Sequence, residues 1–523
     1  MRKNVWFIYS ILLLGIFVAL EANAFTTPAI PYIRADFGIS IANSGILTLL
    51  SSAGAIALSP LFGRLGDQIG RKQVIVAGLI IFIIAQALKV FTGHVSLYLV
   101  GALLQGVGYA LIFPNVFAYI PELFSEEKRG KAIGLFMLFT YIATGTGGAI
   151  SGLLIETWGW RSVYAVSATL SLIGLVLISI FVPKGEKGKR SQLDYKGVTI
   201  FMTAISLLIG LPLIYTNFGT MWLFVGAAVF ITLLLVFLQF QKTEKNPTVD
   251  LKLLKEKGVY IPSILIASQN FMMLSILMSL TFLSADNPNV SPLQVGLITT
   301  VLFTTAMVIS PVIGFLLDRF NPVYLVYLSL LSGFVGIVLY LRVDITSSLL
   351  IILTVMVFVG ICSSLMNASL MKIIIGYAPE DKKGVSTGTF TLFKDLGLPI
   401  GSTLGLTIYG LSTSRGFESA IMETSTTLGL NVEETSQLIG AKATGEVPSA
   451  LSTILTQANI DLAQLLSSAT AQSVAAGIKT LGIINVTIFV IITLISLGLL
   501  KMKKAEQEVP EVTQQVVLEE ASS

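Results

Sequence analysis

The chain has 523 residues, of which 54 % are hydrophobic and 12 % charged, against roughly 25 % charged in an ordinary soluble domain. Apolar runs of about 20 residues recur along it, each long enough to cross a bilayer as a helix, without the short-range alternation that barrel strands require. The formal charge of +4 is scattered over short connections, which excludes a nucleic-acid surface, and one cysteine (Cys362) with one histidine (His94) excludes an internal disulfide and leaves no basis for a zinc site.

Fourteen membrane spans are predicted, near 5–33, 43–63, 73–92, 95–119, 131–155, 160–182, 196–216, 221–240, 259–283, 294–317, 323–342, 347–375, 384–409 and 478–500. Met1-Arg2-Lys3 looks like the start of a signal peptide. The apolar run behind it exceeds the 7–15 residues of a signal core, so it is read as an uncleaved first span. That span carries Glu21 past its middle. A charge at mid-helix costs about 2.5–3.5 kcal/mol on insertion scales, so such a residue faces a cavity or a partner. A carboxyl that exchanges protons there is what a proton-coupled carrier needs. The alternative is a structural carboxyl bonded to a neighbouring helix.

Between the second and third spans lies Gly63-Arg64-Leu65-Gly66-Asp67-Gln68-Ile69-Gly70-Arg71-Lys72. Its glycines allow close helix approach and a tight reversal. Asp67 is placed to cap a neighbouring helix, and Arg64, Arg71 and Lys72 to pair with it or to hold lipid headgroups. The fourth span contains Gln105-Gly106-Val107-Gly108, and the fifth contains Gly145-Thr146-Gly147-Gly148-Ala149-Ile150-Ser151-Gly152, a density of small residues that favours close packing. Lys89 and Lys372 stand near span ends, where their heads are expected to snorkel.

The second half repeats the first. Gly314-Phe315-Leu316-Leu317-Asp318-Arg319 is a weaker copy of the charged turn 251 residues later, and Gly45/Gly296, Ser59/Ser310 and Pro60/Pro311 share that offset. Glu126 to Gly130 matches Glu380 to Gly384 at an offset of 254, kept by Gly106/Gly360, Gly134/Gly388 and Gly147/Gly401. The predicted organisation is an N-terminal six-helix bundle (1–182), two inserted spans with flanking loops (183–258), a C-terminal six-helix bundle (259–500) and a disordered tail (501–523). Residues 410–477 form a long outside stretch with helix-start signals at Pro448-Ser449 and Asn459 to Asp461. It is read as a packed cap or hairpin over the outer mouth, or as a gating lid. Lys394-Asp395 lies about 15 Å into the thirteenth span at 1.5 Å per residue, as an internal salt bridge or with one member facing the cavity. Asn23, Tyr109, Asn115, Tyr141, Gln269, Asn270, Met272, Met273, Met366 and Asn367 lie near midplane depth, as cavity lining or as plain core.

An even number of spans puts both termini on one side. Arg71-Lys72, Lys128-Arg129, Lys187 to Arg190, Lys252 to Lys257 and Lys382-Lys383 all fall in alternate connections. The positive-inside rule makes that side the cytoplasm, and the expected location is the cell membrane.

Gly63 to Lys72 resembles the signature loop of the major facilitator superfamily, glycine-x-leucine-x-aspartate-x-x-glycine-arginine-lysine. The inserted spans, Leu193 to Gly197 before them, and Trp158-Gly159-Trp160-Arg161 are similar to the fourteen-helix drug:proton antiporter branch. The resemblance implies a cytoplasmic gate built from Gly63, Asp67, Gly70, Arg71 and Lys72 with Gly314, Asp318 and Arg319, Asp67 and its neighbouring arginine latching it in the outward-open state. Gly145, Gly147, Gly148 and Gly152 resemble the antiporter motif, although Gly148 stands where that motif has proline and Ser151 replaces a glycine. The fourth-span stretch resembles a second motif whose arginine would fall at Ala102, and it is missing. Leu20-Glu21 resembles the acidic site of the first span in that branch. The expectation is a monomeric, proton-coupled secondary transporter exporting lipophilic or cationic compounds. Glu21 would be the coupling carboxyl, Asp395 an accessory acid and Lys394 a cavity residue. Membrane lipids and a small-molecule substrate are its only expected partners, with no cofactor beyond the proton. No phosphate-binding loop, nucleophile elbow or metal cluster suggests an enzyme. The rivals are a carrier for a specific metabolite or lipid, and a non-transporting sensor or assembly factor.

Overall fold

A computed structural model of the chain describes residues 5–183, 195–243, 255–287, 289–377, 383–444 and 446–507. The basic runs at 187–190 and 252–254, Lys382, the segment 193–194, Met1 to Lys3 and the tail at 508–523 lie outside the described residues. The described chain is all helical.

The first bundle contains α1 (Val5–Asp36), α2 (Ile46–Ile69), α3 (Arg71–Phe91), α4 (Val95–Leu123), α5 (Glu126–Trp158) and α6 (Trp160–Phe181). Two of its turns depend on glycine. Gly70 (φ +103°) separates α2 from α3, and Gly159 (φ +77°) separates α5 from α6. Only glycine adopts such angles without cost, so each reversal takes one residue. A short 3-10 turn, Ile41–Asn43, links α1 to α2.

Two inserted helices follow, α7 (Tyr195–Phe218) and α8 (Thr220–Thr243). The second bundle starts with α9 (Lys257–Ala285), α10 (Pro292–Arg319), α11 (Pro322–Tyr340) and α12 (Leu349–Tyr377). Its α10–α11 joint has no counterpart of Gly70. Asn321 caps α11 instead, its side chain accepting from Val323 N at 3.0 Å, and Pro322 opens the helix. Likewise Ser291 and Gln294 form a capping box before Pro292.

The C-terminal part departs most from the expected boundaries. The helix of the thirteenth span continues past 409, because α13 runs from Lys383 to Leu428. The last does not start near 478, because α16 runs from Leu462 to Gln507. Both have 46 residues, or about 69 Å at 1.5 Å per residue, more than twice a hydrocarbon core of about 30 Å. Their overhanging ends are joined through α14 (Val432–Thr444) and α15 (Ser449–Gln457). Phe417, Ile421, Leu438, Leu451, Leu455 and Ala469 give this hairpin a small core of its own. The start of α16 is capped by Asp461, whose carboxylate accepts from Ala463 N at 2.7 Å. Thirteen of the described helices are long and apolar enough to cross a membrane. The other expected span is the first half of α13, whose glycines, hydroxyls and Lys394-Asp395 lower its hydropathy although it packs lengthwise on α9 and α16.

The molecule thus has a hairpin face and, opposite it, a face carrying the charged α2–α3 turn. One continuous core fills the second bundle and reaches across to Phe25, Ile30, Leu47, Tyr98 and Trp160, all in the hairpin-face half of the first. The remaining half of the first bundle has a separate core around Tyr9, Leu12, Phe82, Ile112 and Phe136. The bundles are therefore joined towards the hairpin face and part towards the other. Helix α7 packs on both α2 and α13 and covers one of the two seams between bundles. The other seam is formed by α5 and α10.

Candidate functional site

The charged turn holds the first bundle together. Asp67 pairs with Arg71, one of the partners expected for it, across Gly70 at 2.7 Å. Arg71 also binds Glu122 at the end of α4. Lys72 donates to the carbonyls of Ser179 and Val182, at 2.9 and 2.6 Å, where α6 ends, a favourable place for a cation. Gly66 lies against Asn115: a Cβ there would meet Asn115 Oδ1 at 1.6 Å. Asn115 is fully buried and donates to Phe62 O at 2.9 Å. The second copy is looser. A Cβ on Gly314 would meet nothing within 4 Å, and Arg319 lies over the Phe315 ring at 4.1 Å. Asp318 stands in the last turn of α10. Lys372 is exposed and reaches from α12 to Leu317 O near the end of α10.

The fifth-span glycines serve two neighbours. A Cβ on Gly147 would meet Ala24 of α1 at 2.5 Å, while on Gly148 and Gly152 it would meet Gly296 O and Pro292 O of α10 at 2.5 and 2.4 Å. Gly145 faces Thr304, and Thr300 Oγ1 accepts from Ala149 N at 2.7 Å. Helix α5 is thus wedged between α1 and α10. Below Gly145 the seam loosens. Val308, Val312 and Phe315 of α10 and Ile133, Met137 and Leu138 of α5 are exposed, and an apolar cleft of about 420 Å³ follows α10 from Thr300 to Val312.

Glu21 is 3 % exposed. Tyr9 bonds Ala132 O and Ser151 bonds Phe25 O, so α1 and α5 run parallel, and Glu21 lies level with Thr144. Its Oε2 has no hydrogen-bond partner among the described residues. Asp395 differs: its side chain is 42 % exposed although it lies deep in α13, and Lys394 Nζ is 3.9 Å away. Tyr109 of α4 stacks on Phe113 with centroids 5.3 Å apart. Asn270 of α9 donates to Lys394 O at 2.9 Å. Asn270, Lys394 and Asp395 therefore meet where α9 packs on α13. Tyr141 and Asn367 are half-buried on α5 and α12. Gln269 is buried and its Oε1 lacks a partner. Met272, Met273 and Met366 pack in the second-bundle core. Asn23 lies in α1, with its side chain outside the described residues.

Two features escaped the sequence reading. Arg34 and Asp286 close the hairpin face with an ion pair at 2.7 Å, reinforced by Arg34 over the Phe282 ring at 5.3 Å. Both stand at span ends, where charge is ordinary. Their separation of 252 residues, one more than the repeat offset, is the signal that was present. Beside them Glu156 accepts from Leu293 N at 3.1 Å, tying α5 to the start of α10. The second feature is Lys89, which does not snorkel. It is 1 % exposed and donates to Gln105.

The family model described as Major Facilitator Superfamily matches residues 12–253 and 260–422. Among characterised proteins, the chain is 25 % identical to the riboflavin transporter RibZ of Clostridioides difficile, over 76 % of this chain and 87 % of that one. It is 24 % identical to the multidrug transporter protein MdtP of Bacillus subtilis (78 % and 75 % covered). It is 23 % identical to the multidrug resistance protein Stp of Mycobacterium tuberculosis (78 % and 76 % covered). Among solved structures, a bacterial homologue of the human lysosomal transporter Spinster, inward-facing and unoccupied, superposes with a TM-score of 0.66 at 15 % identity, covering 96 % of this chain and 98 % of that one. That likeness is one of fold.

Proposed function

Because the chain belongs to the major facilitator superfamily, we propose that it is a proton-coupled secondary transporter, an exporter of lipophilic or cationic compounds working by alternating access. The observation that carries this reading is Glu21, an acid buried in the middle of α1 beside the wedge helix α5, with an oxygen that no group among the described residues satisfies. An intramembrane carboxyl of that kind marks a proton or cation path. A polar patch of Asn270, Lys394 and the partly exposed Asp395 and the exposed apolar surfaces of α5 and α10 support a cavity that takes lipophilic or cationic compounds. The relatives MdtP and Stp, named for multidrug transport and resistance, support the substrate class.

The face carrying the charged α2–α3 turn is assigned to the cytoplasm by its lysines and arginines, and the hairpin to the outside of the cell membrane. The described conformation is then inward-open, with Arg34–Asp286 shut on the outside.

The test is ethidium transport in proteoliposomes under an imposed pH gradient. Glu21→Gln should abolish uphill accumulation and leave downhill ethidium exchange measurable. Unchanged accumulation would remove Glu21 from the mechanism, and wild-type transport indifferent to pH gradient and potential would remove proton coupling. A carrier for one metabolite is the second reading, favoured by the relative named as a riboflavin transporter. Riboflavin uptake that ethidium fails to inhibit would select it.

A further inference from the structure

Lys89 lies two residues before the end of α3 at Phe91. A lysine so placed has an easy route outwards to water or headgroups. Its side chain turns inwards instead. The stem lies against α4, where a Cβ on Gly101 would meet Lys89 Cγ at 3.0 Å. The ammonium donates to Gln105, ten residues into α4 from its start at Val95. It also lies over two aromatic faces, 5.1 Å from the Tyr98 centroid and 4.7 Å from that of Tyr164. Among the described residues no carboxylate pairs with it.

These neutral partners offset part of the cost of burying the ion, because cation–π contacts strengthen when desolvated and hydrogen bonds to a charged group are stronger than neutral ones. Without a carboxylate beside it the buried charge stays costly, and an apolar side chain of similar volume would pack at least as well. A lysine ammonium held only by neutral groups is suited to give up its proton.

The surroundings offer somewhere for the proton to go. Gln86, one turn below on α3, is fully buried, and neither of its side-chain polar atoms has a partner among the described residues. Ser167 of α6 is in the same position. Such groups make a site for buried water. On the other side, Tyr98 and Tyr164 share a hydrogen bond of 2.8 Å, and Tyr164 bonds Thr26 of α1, the helix of Glu21. The nearby ions at this end, Arg161 and Asp36, pair with each other at 3.0 Å, and Arg161 also donates to Thr92 O. His94 stands just before α4.

We propose that Lys89 is a second proton-exchanging group of the transport cycle, seated in a polar pocket of the first bundle formed with Gln86, Gln105, Tyr98 and Tyr164. This rests on the proton-coupled reading above. In the step, one Nζ–H bond breaks, the electron pair stays on Nζ, and the proton passes to a water molecule of the pocket; the return step reverses this.

The experiment compares Lys89→Met and Lys89→Arg with wild type in proteoliposomes, using ethidium and a pH gradient, with thermal unfolding in detergent as the folding control. Methionine keeps the packing without the charge. Arginine keeps the charge and the ring contacts but holds its proton. Both variants should lose at least tenfold in uphill accumulation, keep downhill exchange within about twofold, and unfold no earlier than wild type. Wild-type accumulation by either variant overturns the proposal. If the methionine variant does not fold, the arginine variant decides alone. A wild type that ignores the pH gradient overturns the proton-coupled reading and this proposal with it, whereas a coupled wild type with an equally coupled Lys89→Arg overturns only the role of Lys89.

Discussion

Gly66 and Asn115 compete for the same space, which makes the charged turn sensitive to a single methyl group. With a Cβ at 1.6 Å from Asn115 Oδ1, Gly66→Ala must push α4 off α2 or evict the amide from its bond to Phe62 O. Overpacking of this kind costs about 1–3 kcal/mol. Gly66→Ala should lower the unfolding temperature in detergent, and Asn115→Ser, which shortens the obstacle, should recover part of the loss in the double variant. Losses that simply add would show that the two do not compete. At this scale the sequence announced the turn through its glycine spacing but not the partner, because Asn115 looked like any polar residue at midplane depth. Lys89 was misread for a related reason. Sequence position places a side chain near a helix end, but only the neighbouring Gly101 shows that the stem turns inwards.

Helix α5 is the element on which the two bundles meet, since its glycines face α1 on one side and α10 on the other. The joint is completed at the hairpin face by Arg34–Asp286, between α1 and α9. Being partly exposed, that pair is worth no more than about 1 kcal/mol, enough to shift a two-state equilibrium about fivefold. The reporter is Thr407, buried below it and donating to Ala42 O at 2.9 Å. With Thr407→Cys in a Cys362→Ser background, Arg34→Ala or Asp286→Ala should raise thiol labelling from the hairpin side a few-fold. The swapped pair Arg34→Asp with Asp286→Arg should restore protection. Labelling that is unchanged in the single variants would show that the glycine seam closes this face without the ion pair. The helices themselves were legible because apolar runs of about 20 residues are hard to mistake. The exception is instructive. The first half of α13 is read as a span with help from the alternation of charged connections and from its match to the fifth span, since its own hydropathy is diluted by glycines, hydroxyls and Lys394-Asp395.

In the whole molecule, the hairpin is the part least visible in hydropathy. Its helices are α13 and α16 continued past the membrane, so their boundaries are set by packing and not by the end of an apolar run. Because its core is separate from that of the bundles, replacing residues 419–469 with a six-residue Gly-Ser linker should leave the bundles folded, with an unfolding temperature within a few degrees of wild type. Tyr409, Leu406, Ile478 and Leu481 all remain to hold α13 against α16 in the bundle. A collapse in expression or an unfolding shift beyond about 10 °C would mean that the hairpin supports the bundles. The two halves were legible as a repeat because turn glycines and charges keep their spacing. How the halves open was not, because it depends on contacts between residues more than 100 positions apart.

The continuity of α13 and α16 also has a mechanical consequence. A rod that is anchored in one bundle and overhangs it acts as a pointer. Past Tyr409 α13 overhangs by about 28 Å at 1.5 Å per residue, so a rocking of the second bundle by about 10° displaces the tip by roughly 5 Å. The motion near Asp395 is far smaller, so each cycle of the interior would be written large in the water outside, at a place where the chain can be tagged without touching its cargo.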